Sequence, residues 1–193
     1  MRILCVLLFM TLALPGYAMA TSPQEQVKKM IDGVFAVLNS DQSAEVKRTE
    51  ISGTVQKFLG VESLSQRTLG VYWKKGTPEE LSRFMALYVK ILERTYLNRV
   101  DDYSGGTVDY IQERVKDDKA ILDTKFVSSK FDIPVQYKLV QKDGTWQIYD
   151  VLIEGVSLVR SYRSSYNEIL RKEGFGGLMK KMEEKLVQME KVS

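Results

Sequence analysis

The sequence predicts an α+β domain: helices first, then a twisted four-stranded antiparallel sheet, then closing helices that wrap it. Three observations carry this. Ser22-Pro23-Gln24-Glu25 and Thr77-Pro78-Glu79-Glu80 each place a hydroxyl cap, a proline at the first helical position and a glutamate at the third, which is the signature of a capping box. From Gly105 onward the apolar spacing changes from helical to alternating. Asp143-Gly144 joins two alternating runs and is the residue pair of a two-residue hairpin turn.

The elements follow in chain order. Arg2 precedes an apolar run from Ile3 to Leu14, Pro15-Gly16 breaks it, and Ala18-Met19-Ala20 supplies a small-residue cleavage pattern. Residues 1–20 therefore read as a cleavable signal peptide. The run is too short for a membrane span of about 20 apolar residues. The expectation is an exported protein, periplasmic in a bacterium, whose residues 21–193 form one domain. After Ser22, Val27, Met30, Ile31, Val34 and Leu38 recur at helical spacing, giving a helix over 23–39. A second helix over 43–58 would turn Val46, Val55, Phe58 and Leu59 inward, weakened by Gly53. Short helical turns fill 58–73 and carry Leu64, Leu69, Tyr72 and Trp73. The helix opened by Thr77 runs to about 99, and its apolar stripe is wider than one covered face requires.

Strands begin at Val108-Tyr110, at Ala120 to Phe126, at Ile133 to Leu139 and at Trp146 to Ile153. Pro134 lacks a ladder donor and predicts an edge or a bulge in the third. In the fourth, alternation sets Tyr149, Val151 and Ile153 on one face and Trp146, Ile148, Asp150 and Leu152 on the other. After Gly155 a helix covers 157–172, Gly174, Gly176 and Gly177 interrupt it, and an amphipathic helix closes the chain.

Composition excludes several chemistries. The chain has no histidine, and its one cysteine, Cys5, lies in the segment to be removed. Ser-His-Asp and Cys-His catalysis are therefore out, as is a zinc site of nitrogen and sulfur ligands. The 28 basic and 25 acidic residues nearly balance, which gives no reason to expect nucleic acid, where basic residues should cluster on one face. Asp150 and Glu154 share a strand face and raise the possibility of a carboxylate pair. The simpler reading ties Asp150 to backbone or an arginine and lets Glu154 cap the next helix. Lys180, Lys181 and Lys185 read as a solvated helix face.

The segments FLGVESLSQRTLGVYW (58–73), TPEELSRFMALYVKILERTY (77–96) and DGTWQIYDVLIEGVSLVRSYR (143–163) together resemble the MlaC family of periplasmic phospholipid-binding carriers, also called toluene-tolerance proteins. Trp146, Tyr149-Asp150-Val151, Ile153 to Val159 and Tyr162-Arg163 are its most specific part, and the resemblance spans nearly the whole exported chain. It implies a fold similar to nuclear transport factors, a cone enclosing an apolar cavity, with acyl chains inside and the headgroup outside. It implies a carrier of phospholipid between outer and inner membranes that maintains outer-membrane asymmetry. The implied partners are an outer-membrane lipoprotein bound to a porin and an inner-membrane ABC transporter carrying MCE domains. The carrier would act as a monomer, with no cofactor or metal beyond its lipid cargo and no catalysis.

Residues expected to line such a cavity are Phe35, Leu38, Leu69, Trp73, Phe84, Tyr88, Leu92, Tyr149, Val151, Ile153, Val159 and Tyr162. Arg160 and Arg163, three apart on a helix, are candidates for a phosphate headgroup. Three alternatives stay open at this point: an enzyme of the same fold acting on an apolar substrate, a carrier of hopanoid or another lipid, and an adaptor acting through protein contacts alone.

Overall fold

The structure, a computed structural model, describes residues 21–97 and 103–192; the signal-peptide reading of 1–20 and the helix end near 99 lie outside the described residues. Helices α1 (Pro23–Leu38), α2 (Ala44–Gln56), α3 (Val61–Leu69) and α4 (Pro78–Leu97) come first, with a 3₁₀ turn over Gly70–Lys75. Strands β1 (Thr107–Lys116), β2 (Lys119–Val127), β3 (Asp132–Lys142), β4 (Thr145–Ile153) and β5 (Val156–Ser157) form one antiparallel meander in chain order, and α5 (Leu158–Val192) closes the chain. The class is α+β, with five strands instead of four. The fifth arises because Glu154 and Gly155 both take positive φ and make a tight turn, so the chain pairs back on β4 before the helix. Glu154 is thus an exposed turn residue and caps nothing. Asp143 and Gly144, also at positive φ, form the expected hairpin turn between β3 and β4.

Both capping boxes form. The Glu25 amide donates to Ser22 Oγ at 3.1 Å and the Ser22 amide to Glu25 at 3.1 Å, and Thr77 with Glu80 repeats the pattern. Helix α2 differs from expectation in its inward side: Ile51 is its buried residue, whereas Val46 is 42% exposed. Pro134 sits inside β3, which is a central strand. The carbonyl of Pro134 accepts from the Glu154 amide, so its missing donor lies on that same side, beyond the last β3–β4 pair of Val135 and Ile153, and costs no ladder bond. Of the three glycines in the middle of α5, only Gly174 leaves helical geometry (φ 67°), and there the helix kinks.

Two bulges reverse which side chains face inward. Ile111 is the extra residue between the pairs Tyr110–Thr124 and Gln112–Asp123, and it is 62% exposed. Beyond it Glu113 turns inward, and its carboxylate accepts the Gln24 amide at 2.6 Å in the first turn of α1, where a negative charge is favourable. Tyr149 is the extra residue of β4, between the pairs Leu139–Ile148 and Lys138–Asp150. As a result Val151 and Ile153 share a surface with Ile148, which corrects the strict alternation read from the sequence.

The apolar residues collect in separate clusters. One joins α3, α4 and α5 through Leu69, Phe84, Tyr88, Ile91, Tyr166 and Leu178. Its centre is four rings, Phe84, Tyr88, Tyr162 and Tyr166, with neighbouring centroids 5.2–5.9 Å apart, mostly tilted or edge-to-face. A second lies between α1 and the sheet, built on Val27, Met30, Ile31, Leu122, Leu139, Trp146 and Ile148. A third, smaller, sits where α1 meets α2, around Leu38 and Ile51.

Asp150, 5% exposed, fastens β4 to α5. Its carboxylate accepts from the Ser157 hydroxyl at 2.8 and 3.0 Å and from the Val159 amide at 3.2 Å, and Lys138 Nζ lies 3.5 Å away. Ser157 Oγ in turn accepts the Arg160 amide at 3.1 Å as the cap of α5. Asp150 thus takes the backbone partner expected from the sequence, together with a serine hydroxyl and a lysine in place of an arginine. Removing a buried carboxylate that holds these donors costs about 3 kcal/mol. Asp150→Ala is expected to lose about that much in urea unfolding; a loss below about 1 kcal/mol would show that the network is not a structural anchor.

Burial raises the Tyr88 and Tyr166 hydroxyls well above the ordinary 10.0, and that of Tyr110 to about 12. The unfolded chain ionises near pH 10 while these folded groups stay protonated, so their stabilisation is complete below pH 10 and declines as pH rises above it. Tyr166 Oη also has no hydrogen-bond partner among the described residues. Tyr166→Phe is expected to raise stability at pH 7 by about 1 kcal/mol and to make the alkaline decline shallower; an unchanged slope above pH 10 would contradict the burial of that hydroxyl.

Candidate functional site

A cavity of about 340 Å³ lies where the three clusters fail to meet. Helix α1 contributes Met30, Ile31, Val34, Phe35 and Leu38, α2 contributes Ile51, Ser52, Val55 and Gln56, and α4 contributes Val89, Leu92, Glu93, Tyr96 and Leu97. The sheet supplies Val108 from β1, Thr124 and Phe126 from β2, Ile133, Val135 and Tyr137 from β3, and Ile148, Val151 and Ile153 from β4. Leu59, Leu64, Tyr103 and Leu158 complete the wall.

Its chemistry is nearly uniform. Among the described residues that line it, Glu93 is the one that carries a charge. Thr124 spends its hydroxyl on the Val135 carbonyl at 3.0 Å, which leaves its methyl as the surface it can offer the cavity. Burial pushes the Tyr137 hydroxyl up from 10.0, so that ring is neutral at any physiological pH. Among the described residues no group of three or more aspartates and glutamates is placed to hold a metal ion, and no helix is long and apolar enough to cross a membrane. Asp150 is occupied by Ser157 and Val159, and Glu154 points to solvent from a turn, so the two do not form a catalytic pair. The arrangement is suited to holding hydrocarbon, since it offers apolar contact and almost nothing to polarise a bond.

Five of the twelve residues expected from the sequence stand in this wall: Phe35, Leu38, Leu92, Val151 and Ile153. Leu69, Phe84, Tyr88 and Val159 are buried in the helical cluster instead, with Trp73 and Tyr162 packed on it. Tyr149 faces away, because it is the bulged residue, and the Arg67 guanidinium lies 3.9 Å from its ring centre. Arg160 and Arg163 are exposed on α5 and do not line the cavity; the Arg163 guanidinium lies over Gly70, where a Cβ would meet it at 2.7 Å. Sequence reading missed the inward residues of β1, β2 and β3. Their alternation, Val108, then Thr124-Phe126, then Ile133-Val135-Tyr137, was the signal that could have found them. On α2, a helix whose composition is too polar to mark one face, it missed Ile51, and it turned Val55 inward without assigning it to the cavity.

The family model described as MlaC protein matches residues 28–184. The chain is similar to the intermembrane phospholipid transport system binding protein MlaC of Haemophilus influenzae, 23% identical over 181 residues that cover 85% of this chain and 82% of that one. It is also similar to toluene tolerance protein ttg2D of Pseudomonas putida, 25% identical over 105 residues, 53% of this chain and 49% of that one. Among solved structures, the phospholipid-binding protein of Ralstonia solanacearum, determined in complex with a phospholipid, superposes with a TM-score of 0.80 at 21% identity, covering 86% of this chain and 97% of that one. The fold is therefore shared with that protein, and the match over residues 28–184 makes this chain a member of the MlaC protein family.

Proposed function

We propose that the cavity between α1, α2, α4 and the sheet holds phospholipid acyl chains, and that the protein is a soluble periplasmic carrier moving phospholipid between outer and inner membranes. The observation that carries this reading is a 340 Å³ apolar volume left unfilled within a single small fold. An empty apolar cavity is costly, because its walls lose dispersion contacts that a packed core would make. A hydrocarbon occupant restores them. Each buried methylene contributes about 0.8 kcal/mol, so an acyl chain of about 15 methylenes gains on the order of 12 kcal/mol before ordering costs.

The related proteins support the same reading: the Haemophilus influenzae relative is named as the binding protein of a phospholipid transport system, and the Ralstonia solanacearum structure contains a phospholipid. On this reading the headgroup stays outside the apolar wall, and the delivering and receiving partners are the outer-membrane lipoprotein–porin complex and the inner-membrane MCE-domain transporter. The protein changes no covalent bond of its cargo.

Native mass spectrometry of protein purified from a bacterial periplasm is expected to show the chain with bound phospholipid. Val151→Arg and Leu92→Arg each place a guanidinium in the wall and are expected to yield folded, lipid-free protein. A wild-type protein that is free of lipid as isolated, or arginine variants that keep a normal lipid content, would overturn the proposal. Tyr88→Phe is the control: it removes the 3.2 Å Thr68–Tyr88 hydrogen bond in the helical cluster, outside the cavity, and leaves lipid content unchanged.

A further inference from the structure

The rim of the cavity carries charge that its wall lacks. Two of the lining residues, Gln56 on α2 and Tyr96 on α4 (38% exposed), reach the surface along the seam between these helices. Glu93 projects from α4 into this seam, where its Oε1 accepts both the Ser52 hydroxyl and, at 2.5 Å, Gln56 Nε2, while Gln56 also donates to Ser52 Oγ at 3.0 Å. Both donors are neutral and both serve one oxygen. Among the described residues no lysine or arginine pairs with Glu93, so its charge is hydrogen-bonded but not compensated. Ser52 and Gln56 stand four apart on one face of α2.

A carboxylate that lines an apolar chamber at its exposed seam, with only neutral donors on it among the described residues, is placed to take a cation. We infer that Glu93 selects phospholipids whose headgroup is a zwitterion, a primary ammonium beside the phosphate, over phospholipids of net negative charge. This rests on the carrier reading above, which puts the headgroup at the mouth. The ammonium answers Glu93, whose field is strengthened by the low-dielectric wall behind it. A headgroup that lacks a cation leaves Glu93 facing a phosphate with nothing between them.

The test offers lipid-stripped full-length protein vesicles of equal parts phosphatidylethanolamine and phosphatidylglycerol and identifies the bound lipid by native mass spectrometry. Wild type is expected to take up phosphatidylethanolamine in excess. Glu93→Gln, which keeps the side-chain shape, is expected to lower the ethanolamine-to-glycerol ratio about two- to fivefold, the range of a partly screened charge pair. Gln56→Lys, at an exposed position, places a cation beside Glu93 and should shift the ratio the same way. Equal ratios in wild type and both variants, with lipid bound in all three, would overturn the inference and leave the carrier reading intact. A change in exchange rate at constant ratio would also overturn it, making the seam a latch instead of a selector. Absence of any bound lipid in wild type would sink the carrier reading itself.

Discussion

The inward face of the sheet carries more apolar surface than the helix lying on it can cover, and that mismatch governs the rest of the molecule. Helix α1 closes over Ala120, Leu122, Leu139 and Trp146 and makes a dense cluster there. The same face continues through Val108, Phe126, Ile133, Val135, Val151 and Ile153, where it borders open volume. Helix α4, which might have filled the space, commits Phe84, Tyr88 and Ile91 to α3 and α5. Its remaining apolar side, Val89, Leu92 and Tyr96, is left facing the cavity. This explains the width of its apolar stripe: one side is core and the other is wall.

Polar anchors hold these pieces apart. Glu113 receives the amino end of α1, and Asp150 with Ser157 fixes the start of α5 against β4. Ser52, Gln56 and Glu93 tie α2 to α4. The Asp150–Ser157 anchor satisfies groups that would otherwise be buried without partners, and the helices cannot slide inward to close the volume without losing these hydrogen bonds. The anchors lie outside or at the rim of the cavity, so the interior stays apolar.

The two bulges are the least visible part of the design and the part with the largest consequence. Ile111 and Tyr149 each add one residue, and each turns the following side chains to the opposite face. Without the bulge at Tyr149, Val151 and Ile153 would point away from Ile148, and the cavity would lose part of its sheet wall. Without the bulge at Ile111, Glu113 would not meet α1. Phe84, Tyr88 and Tyr162, large residues that a sequence reading assigns to a ligand chamber, belong instead to the aromatic cluster that braces α4 against α5, and Trp73 packs on the same helical cluster. Size and apolarity mark a residue as buried, but they do not say whether its neighbour is another side chain or empty space.

The sequence by itself determined the element order, the capped starts of α1 and α4, the Asp143-Gly144 hairpin and the absence of histidine chemistry, because each of these depends on local geometry or on composition. The segments around 58–73, 77–96 and 143–163 also carried the family resemblance, which the match over residues 28–184 bears out. Only the tertiary structure decided which apolar residues face the cavity, that a fifth strand forms after Glu154-Gly155, and that Glu93 stands at the rim. The physical reason is that a cavity is a statement about what is not packed against a surface. That depends on where whole helices come to rest, and a shift of one residue at a bulge is enough to exchange wall for exterior.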